Sequence, residues 1–88
     1  LLEKNHPFKI NFFFDERAAS FFALGVCKQK NRPCAVITTS GTAVSEAYSA
    51  VIEAYYSAMP LVVVSADRPK SYRGACAPQS IEQKEIFG

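Results

Sequence analysis

The sequence has little of the chemistry that marks disulfide-rich or metal-binding proteins. Its three cysteines, Cys27, Cys34 and Cys76, are odd in number and form no Cys-x-x-Cys pair. That usage favours reduced thiols over a disulfide or a metal site. His6 is the only histidine, so a histidine-based metal cluster within these residues is excluded.

The sequence also lacks a large excess of positive or negative charge and has no long apolar run. The formal net charge is only +2, and no run of lysine and arginine indicates a nucleic-acid partner. No apolar stretch approaches the roughly 20 residues that a membrane span needs. The first residues lack the pattern of a signal peptide. These absences favour a cytoplasmic globular protein without a nucleic-acid or membrane partner.

The chain is short. It has 88 residues, of which 49% are hydrophobic and 20% charged, which suits one small soluble domain at most. It has no initiator methionine and ends in the apolar residues 86–88. We therefore expect residues 1–88 to be part of one domain of a larger protein.

Apolar periodicity predicts alternating strands and helices. The predicted strands are residues 8–14, 34–39 and 61–65; the predicted helices are 16–29, capped by Asp15, then 43–57, and a last one from about residue 80. The helix over 43–57 would carry Val44, Ala47, Tyr48, Val51 and Tyr55 on one face, and its tyrosines are expected in the core and at an interface. Strands that alternate with helices imply a parallel sheet, so the predicted fold class is α/β in the order β-α-β-α-β.

Three polar segments follow the predicted strands. Ligands bind parallel sheets outside the carboxyl ends of the strands, so we expect Glu16, Thr42 and Arg68 at one edge. Glu16 has two explanations: the helix dipole favours a carboxylate there by about 0.3–1 kcal/mol, or a partly buried carboxylate exchanges a proton with a ligand. The Ser40-Gly41-Thr42 turn could be a simple cap or cradle an anion.

Two further candidates lie nearer the carboxyl terminus. Arg68 could form a surface ion pair with Asp67, or bind a substrate carboxylate through its guanidinium fork. Gln79 and Gln83 are four residues apart, on one side of the predicted last helix. Only one of the two glutamines needs to face a ligand.

Four segments in this order resemble one enzyme family. They are Phe-Asp-Glu-Arg at the start of residues 14–25, Thr-Thr-Ser-Gly-Thr-Ala at 38–43, Ser-Ala-Asp-Arg-Pro at 65–69, and residues 74–83. The chain resembles a fragment of the N-terminal pyrimidine-binding domain of thiamine-diphosphate enzymes, and among them the synthases of menaquinone biosynthesis. Acetolactate synthase and pyruvate oxidase typically have Ser-Gly-Pro-Gly at the first turn and Gly-Gln after the third strand. An acetolactate-synthase-like domain and a non-catalytic α/β ligand-binding module are the alternatives.

The resemblance implies roles for particular residues. Glu16 is implied as the catalytic, cofactor-binding glutamate that hydrogen-bonds the aminopyrimidine ring nitrogen of thiamine diphosphate. Gly41 and Thr42 are implied to lie along the pyrimidine ring, and Arg68 and Gln79 to face the substrate.

The resemblance also implies a reaction and an assembly. The implied enzyme is a transferase that decarboxylates 2-oxoglutarate and adds the succinic semialdehyde unit to isochorismate, as a homodimer or homotetramer. In this family a separate C-terminal domain of the other subunit binds the diphosphate and Mg²⁺, and its Gly-Asp-Gly…Asn motif does not occur here. The first strand of the pyrimidine domain also lies outside these residues. We therefore expect the 88 residues alone to be inactive, with unpaired sheet edges.

Overall fold

The computed structural model describes residues 7–72 and 79–88. Within them the elements follow one another as α1 (Glu16–Lys30), β1 (Cys34–Thr38), α2 (Thr42–Ser45), α3 (Tyr48–Tyr56), β2 (Leu61–Ser65) and a 3-10 turn (Lys70–Tyr72). Helices and strands alternate as the sequence predicts, which confirms the α/β class.

The two strands form a parallel pair. Cys34 lies opposite Leu61 and Thr38 opposite Ser65, with α2 and α3 in the crossover between them. This pairing confirms the parallel arrangement predicted for residues 34–39 and 61–65. Because the strands run in the same direction, the residues that follow Thr38 and Ser65 emerge at the same end of the sheet.

Helix α1 begins and ends where its local sequence indicates. The side chain of Asp15, whose backbone is extended, accepts a hydrogen bond from the backbone N–H of Arg17 at 3.2 Å. Asn31 ends the helix in the left-handed conformation, with φ of 50°, and Pro33 follows shortly after. The predicted helix over residues 16–29 and its Asp15 cap are confirmed.

The strand predicted at residues 8–14 is wrong. This segment has no regular structure, and no strand among the described residues pairs with it. Phe8 and Phe12 are 75% and 79% exposed. An apolar alternating pattern permits a strand, but a strand forms only when a neighbouring backbone accepts its hydrogen bonds.

The single helix predicted over residues 43–57 is two helices, α2 and α3, separated by Glu46 and Ala47. Its buried face also differs from the prediction. Val44 and Ala47 are buried as expected, whereas Tyr48 and Tyr55 are exposed. Ala50 and Ala54 are buried instead, because their small side chains let α3 approach α1 closely.

The helix predicted from about residue 80 is wrong as well. Residues 79–88 contain no helix: turns lie at 79 and 84–87, and residues 80–83 are irregular. Positive φ angles at Gln79 and Glu85 (51° and 56°) are incompatible with a continuous helix. The ring of Phe87 stacks on that of Tyr48 at 5.4 Å, which attaches this segment to the start of α3.

The core lies on one side of the sheet. Helix α1 packs against both strands and α3 packs against α1, and Val36 and Thr38 on one face of β1 are both buried. On the opposite face Ile37, Val62 and Val64 are 66%, 46% and 48% exposed, and no described element covers them. None of the helices in the described ranges is long and apolar enough to span a membrane.

Candidate functional site

One side chain links the carboxyl ends of both strands. Gln83 Oε1 accepts a hydrogen bond from the backbone N–H of Gly41 at 2.7 Å, and Gln83 Nε2 donates to the backbone carbonyl of Ala66 at 3.0 Å. Beside it, the Ser40 hydroxyl donates to the backbone carbonyl of Gln79 at 2.7 Å. The turn after β1, the residue after β2 and the segment at 79–83 therefore meet at one edge.

Gly41 is required in this turn for two reasons. Its φ of 73° and ψ of −132° belong to a region that residues with a Cβ rarely enter. A Cβ at Gly41 would also lie 2.5 Å from the carbonyl carbon and oxygen of Gln79. The backbone of Gln79 therefore packs directly on the turn, and a larger residue at position 41 would force the two segments apart.

Glu16 lies at the first position of α1, half-buried, and lines a cleft between residues 7–13 and β1. The cleft reaches Thr38 and Thr39, which immediately precede the turn. The nearby wall is mostly apolar and includes Ala19 and Phe22. Glu16 therefore faces a space that is bounded by the carboxyl end of β1, although no hydrogen bond joins its carboxylate to the turn within the described residues.

Arg68 and Thr42 occupy the same end of the sheet. Thr42 begins α2 and is exposed. Arg68 follows β2 by three residues, and its backbone N–H donates to Asp67 Oδ1 at 2.7 Å. The Nε of Arg68 is buried and has no hydrogen-bond partner in the described part of the chain. A buried donor without a partner is rare in folded proteins and is satisfied when an acceptor binds beside it.

The structure thus joins some of the predicted site residues and not others. Gly41 packs against the backbone of Gln79 rather than against its side chain. Gln79 as a whole is exposed. The contribution of Gln83 was missed by sequence reasoning, which noted the spacing of the two glutamines and assigned the role to Gln79. The signal was present in that spacing, but only the tertiary contacts show that Gln83 reaches the turn.

The thiols and the remaining titratable groups form no additional centre that the structure describes. Cys27 is buried and Cys34 half-buried, and both are free; Cys76 and His6 lie outside the described residues. Residues 7–72 and 79–88 contain no group of three or more His, Cys, Asp and Glu side chains that could hold a metal ion.

Comparison with known proteins identifies close relatives. The family model described as "Thiamine pyrophosphate enzyme, N-terminal TPP binding domain" matches residues 1–86. A 2-succinyl-5-enolpyruvyl-6-hydroxy-3-cyclohexene-1-carboxylate synthase of Bdellovibrio bacteriovorus is 56% identical over 87 residues, 99% of this chain. Proteins of the same name in Akkermansia muciniphila and Geobacillus kaustophilus are 56% and 51% identical over 85% and 94% of the chain. The chain spans only 16%, 14% and 15% of the length of these three relatives.

Proposed function

The chain belongs to the thiamine pyrophosphate enzyme family, within its N-terminal TPP binding domain, and on that premise we propose that it is part of a menaquinone-pathway synthase. The proposed enzyme is a transferase that decarboxylates 2-oxoglutarate and joins the resulting four-carbon unit to isochorismate. The observation that carries this proposal is the 51–56% identity to synthases of one name across most of the chain.

The residues at the edge of the sheet suit thiamine diphosphate. Glu16 offers a half-buried carboxylate in a cleft whose wall is largely apolar, as a flat aminopyrimidine ring requires. When bound, this cofactor supplies the nucleophilic carbon for the decarboxylation. Glu16 would hold the proton at the ring nitrogen of the aminopyrimidine, and Gly41 and Thr42 would lie along the ring.

Substrate binding is assigned to Arg68 and Gln79. Both proposed substrates carry carboxylates, which pair with a guanidinium in a bidentate fork. The Nε of Arg68 is buried without a partner among residues 7–72 and 79–88, which supports this role because a carboxylate oxygen would satisfy it.

The rest of the machinery is proposed to lie in other parts of a longer protein. The diphosphate and Mg²⁺ would be bound by a further domain, contributed by the other subunit of a homodimer or homotetramer. The proposed location of the enzyme is the cytoplasm. The 88 residues contribute the groups that contact the aminopyrimidine ring and one side of the substrate.

The experiment that tests this function replaces Glu16 with Gln in the full-length synthase. The amide keeps the size of the side chain but cannot exchange a proton with the ring nitrogen of the aminopyrimidine. Hydrogen–deuterium exchange at the thiazolium carbon of bound cofactor should slow by about 10²–10⁴-fold, the usual contribution of a positioned acid or base. Glu46→Gln, at an exposed glutamate between α2 and α3, is the matched control and should leave the exchange rate unchanged.

The alternative explanation of Glu16 has a different outcome. If its carboxylate only complements the helix dipole, Glu16→Gln should cost about 0.3–1 kcal/mol of stability and leave exchange intact. Equal exchange rates in wild type and Glu16→Gln, with cofactor bound to both, would reject the catalytic role.

A further inference from the structure

Gln83 bridges the carboxyl ends of β1 and β2, which are followed by the residues proposed to contact the cofactor and the substrate. Its carboxamide joins Gly41, in the turn after β1, to Ala66, two residues before Arg68. We propose that Gln83 is a positioning residue, which sets the cofactor-facing turn and the substrate-facing arginine relative to each other. This inference rests on the proposed function of residues 41, 42 and 68.

A side-chain amide fits both contacts. The N–H of Gly41 requires an acceptor, and the carbonyl of Ala66 requires a donor. A carboxamide presents one of each on a single planar group. A glutamate at this position would keep the acceptor but place a negative charge against the carbonyl of Ala66, and a lysine would keep the donor but leave Gly41 unsatisfied.

Local structure does not hold the turn by itself. Helix α2, which Gly41 precedes, has four residues and no side-chain cap at its start. Besides the local bond from the Val44 N–H to the Gly41 carbonyl, two contacts with residues far along the chain hold the turn: Gln83 on Gly41, and the carbonyl of Gln79 on Ser40. Ser40 and Gly41 are both buried, so water cannot replace these bonds without a shift of the backbone.

The contacts of Gln83 lie at the edge of the sheet rather than in the core. The buried apolar residues come from α1, β1, α2, α3 and Ala47, and the hydrogen bonds of Gln83 within the described residues go to the backbone of Gly41 and Ala66, which are not among them. Loss of its carboxamide should therefore alter the placement of the turn and of Arg68 more than it alters global stability.

The test uses Gln83→Met and Gln83→Glu in the full-length synthase. Methionine keeps the length of the side chain and removes both hydrogen bonds, whereas glutamate removes only the donor. The controls are Gln29→Met and Gln29→Glu, at an exposed glutamine near the end of α1 with no side-chain hydrogen bond among the described residues. The readouts are the dissociation constant for thiamine diphosphate, the exchange rate at the thiazolium carbon under saturating cofactor, the KM for 2-oxoglutarate and the melting temperature.

Gln83→Met should weaken cofactor binding and raise the KM for 2-oxoglutarate by about tenfold each, the size expected for a lost buried hydrogen bond. The Gln29 variants should stay within about twofold of wild type. A fall in melting temperature with both constants unchanged would show that Gln83 is only structural and would overturn the proposal.

Two further measurements separate this inference from the function on which it rests. Protection of the Gly41 amide hydrogen in cofactor-free protein reports the bond to Gln83 directly. Unchanged protection in Gln83→Met would also overturn the proposal, whereas Gln83→Glu keeps the acceptor and should retain the protection. Gly41→Ala should reproduce the weakened cofactor binding, because a Cβ would displace the same turn from Gln79. Failure of the proposed function would appear instead as equal exchange rates in wild type and Glu16→Gln.

Discussion

Arg68 illustrates how one unpartnered atom can indicate a ligand. Its backbone is tied to Asp67 by a 2.7 Å hydrogen bond, which anchors the start of the side chain. The Nε is nevertheless buried without a hydrogen-bond partner in the described residues. The local bond is formed by the backbone N–H, so it does not occupy the Nε, which a carboxylate oxygen would satisfy.

We predict that Arg68→Met in the full-length synthase raises the KM for 2-oxoglutarate by about 10–100-fold, since a hydrogen bond to a charged group contributes about 1.5–3 kcal/mol. The dissociation constant for thiamine diphosphate should change little. Arg32→Met is the control, because Arg32 is exposed and precedes the opposite end of β1. A KM that stays at the wild-type value in steady-state kinetics would remove Arg68 from the substrate site.

Helix α1 places Glu16, and the position of its first turn depends on Asp15. The Asp15 carboxylate satisfies one of the backbone N–H groups that a helix start leaves without a partner. The Ser20 hydroxyl donates to the carbonyl of Glu16 at 2.7 Å one turn later, inside the core. The cap and the buried serine together define the backbone on which the Glu16 carboxylate is carried.

Asp15→Ala should lower the free energy of unfolding by about 1 kcal/mol, the usual cost of a lost N-cap. Asp15→Ser is the matched control and should recover most of this loss, because its hydroxyl can accept the same bond from Arg17. Urea denaturation of the full-length synthase followed by a probe of this domain measures both. Equal stability of the alanine and serine variants would show that the 3.2 Å bond contributes nothing.

The assembled chain leaves much apolar surface uncovered. The backbone N–H of Cys34 donates to the carbonyl of Pro60, and the carbonyl of Thr38 accepts from the N–H of Ala66, so the backbone groups of Cys34 and Thr38 face β2. Because alternate residues of a strand face opposite neighbours, the backbone groups of Ala35 and Ile37 face the other edge of β1. No described strand pairs with that edge. The exposed Ile37, Val62 and Val64 add an apolar face beside it. A sheet of this kind is completed by further strands and helices, as in other parallel α/β domains.

The purified 88-residue chain should therefore release no carbon dioxide from 2-oxoglutarate, even with thiamine diphosphate and Mg²⁺ present. The physical reason is that these residues contain no Gly-Asp-Gly…Asn motif for the diphosphate and the metal. The full-length synthase assayed in parallel is the positive control. Carbon dioxide release by the 88 residues that depends on Glu16 would contradict this prediction.

Local patterns in the sequence were sufficient for α1, β1 and β2. The cap at Asp15, the stop at Asn31 and the two short apolar runs act over a few residues, so they can be recognised without knowledge of the rest of the chain. The resemblance of four segments to thiamine-diphosphate enzymes also required no coordinates, and the family match over residues 1–86 confirms it.

Long-range packing decided the remainder. Residues 8–14 have the pattern of a strand but no described strand with which to pair. Helix α3 buries the face that carries Ala50 and Ala54, because these small side chains let α1 approach closely. Gln83 lies 42 residues from Gly41, and the positive φ of Gln79 prevents the helix that would have placed both glutamines on one side. Hydrogen bonds between distant segments form only after the chain has folded, and for this reason no local pattern distinguishes Gln83 from Gln79.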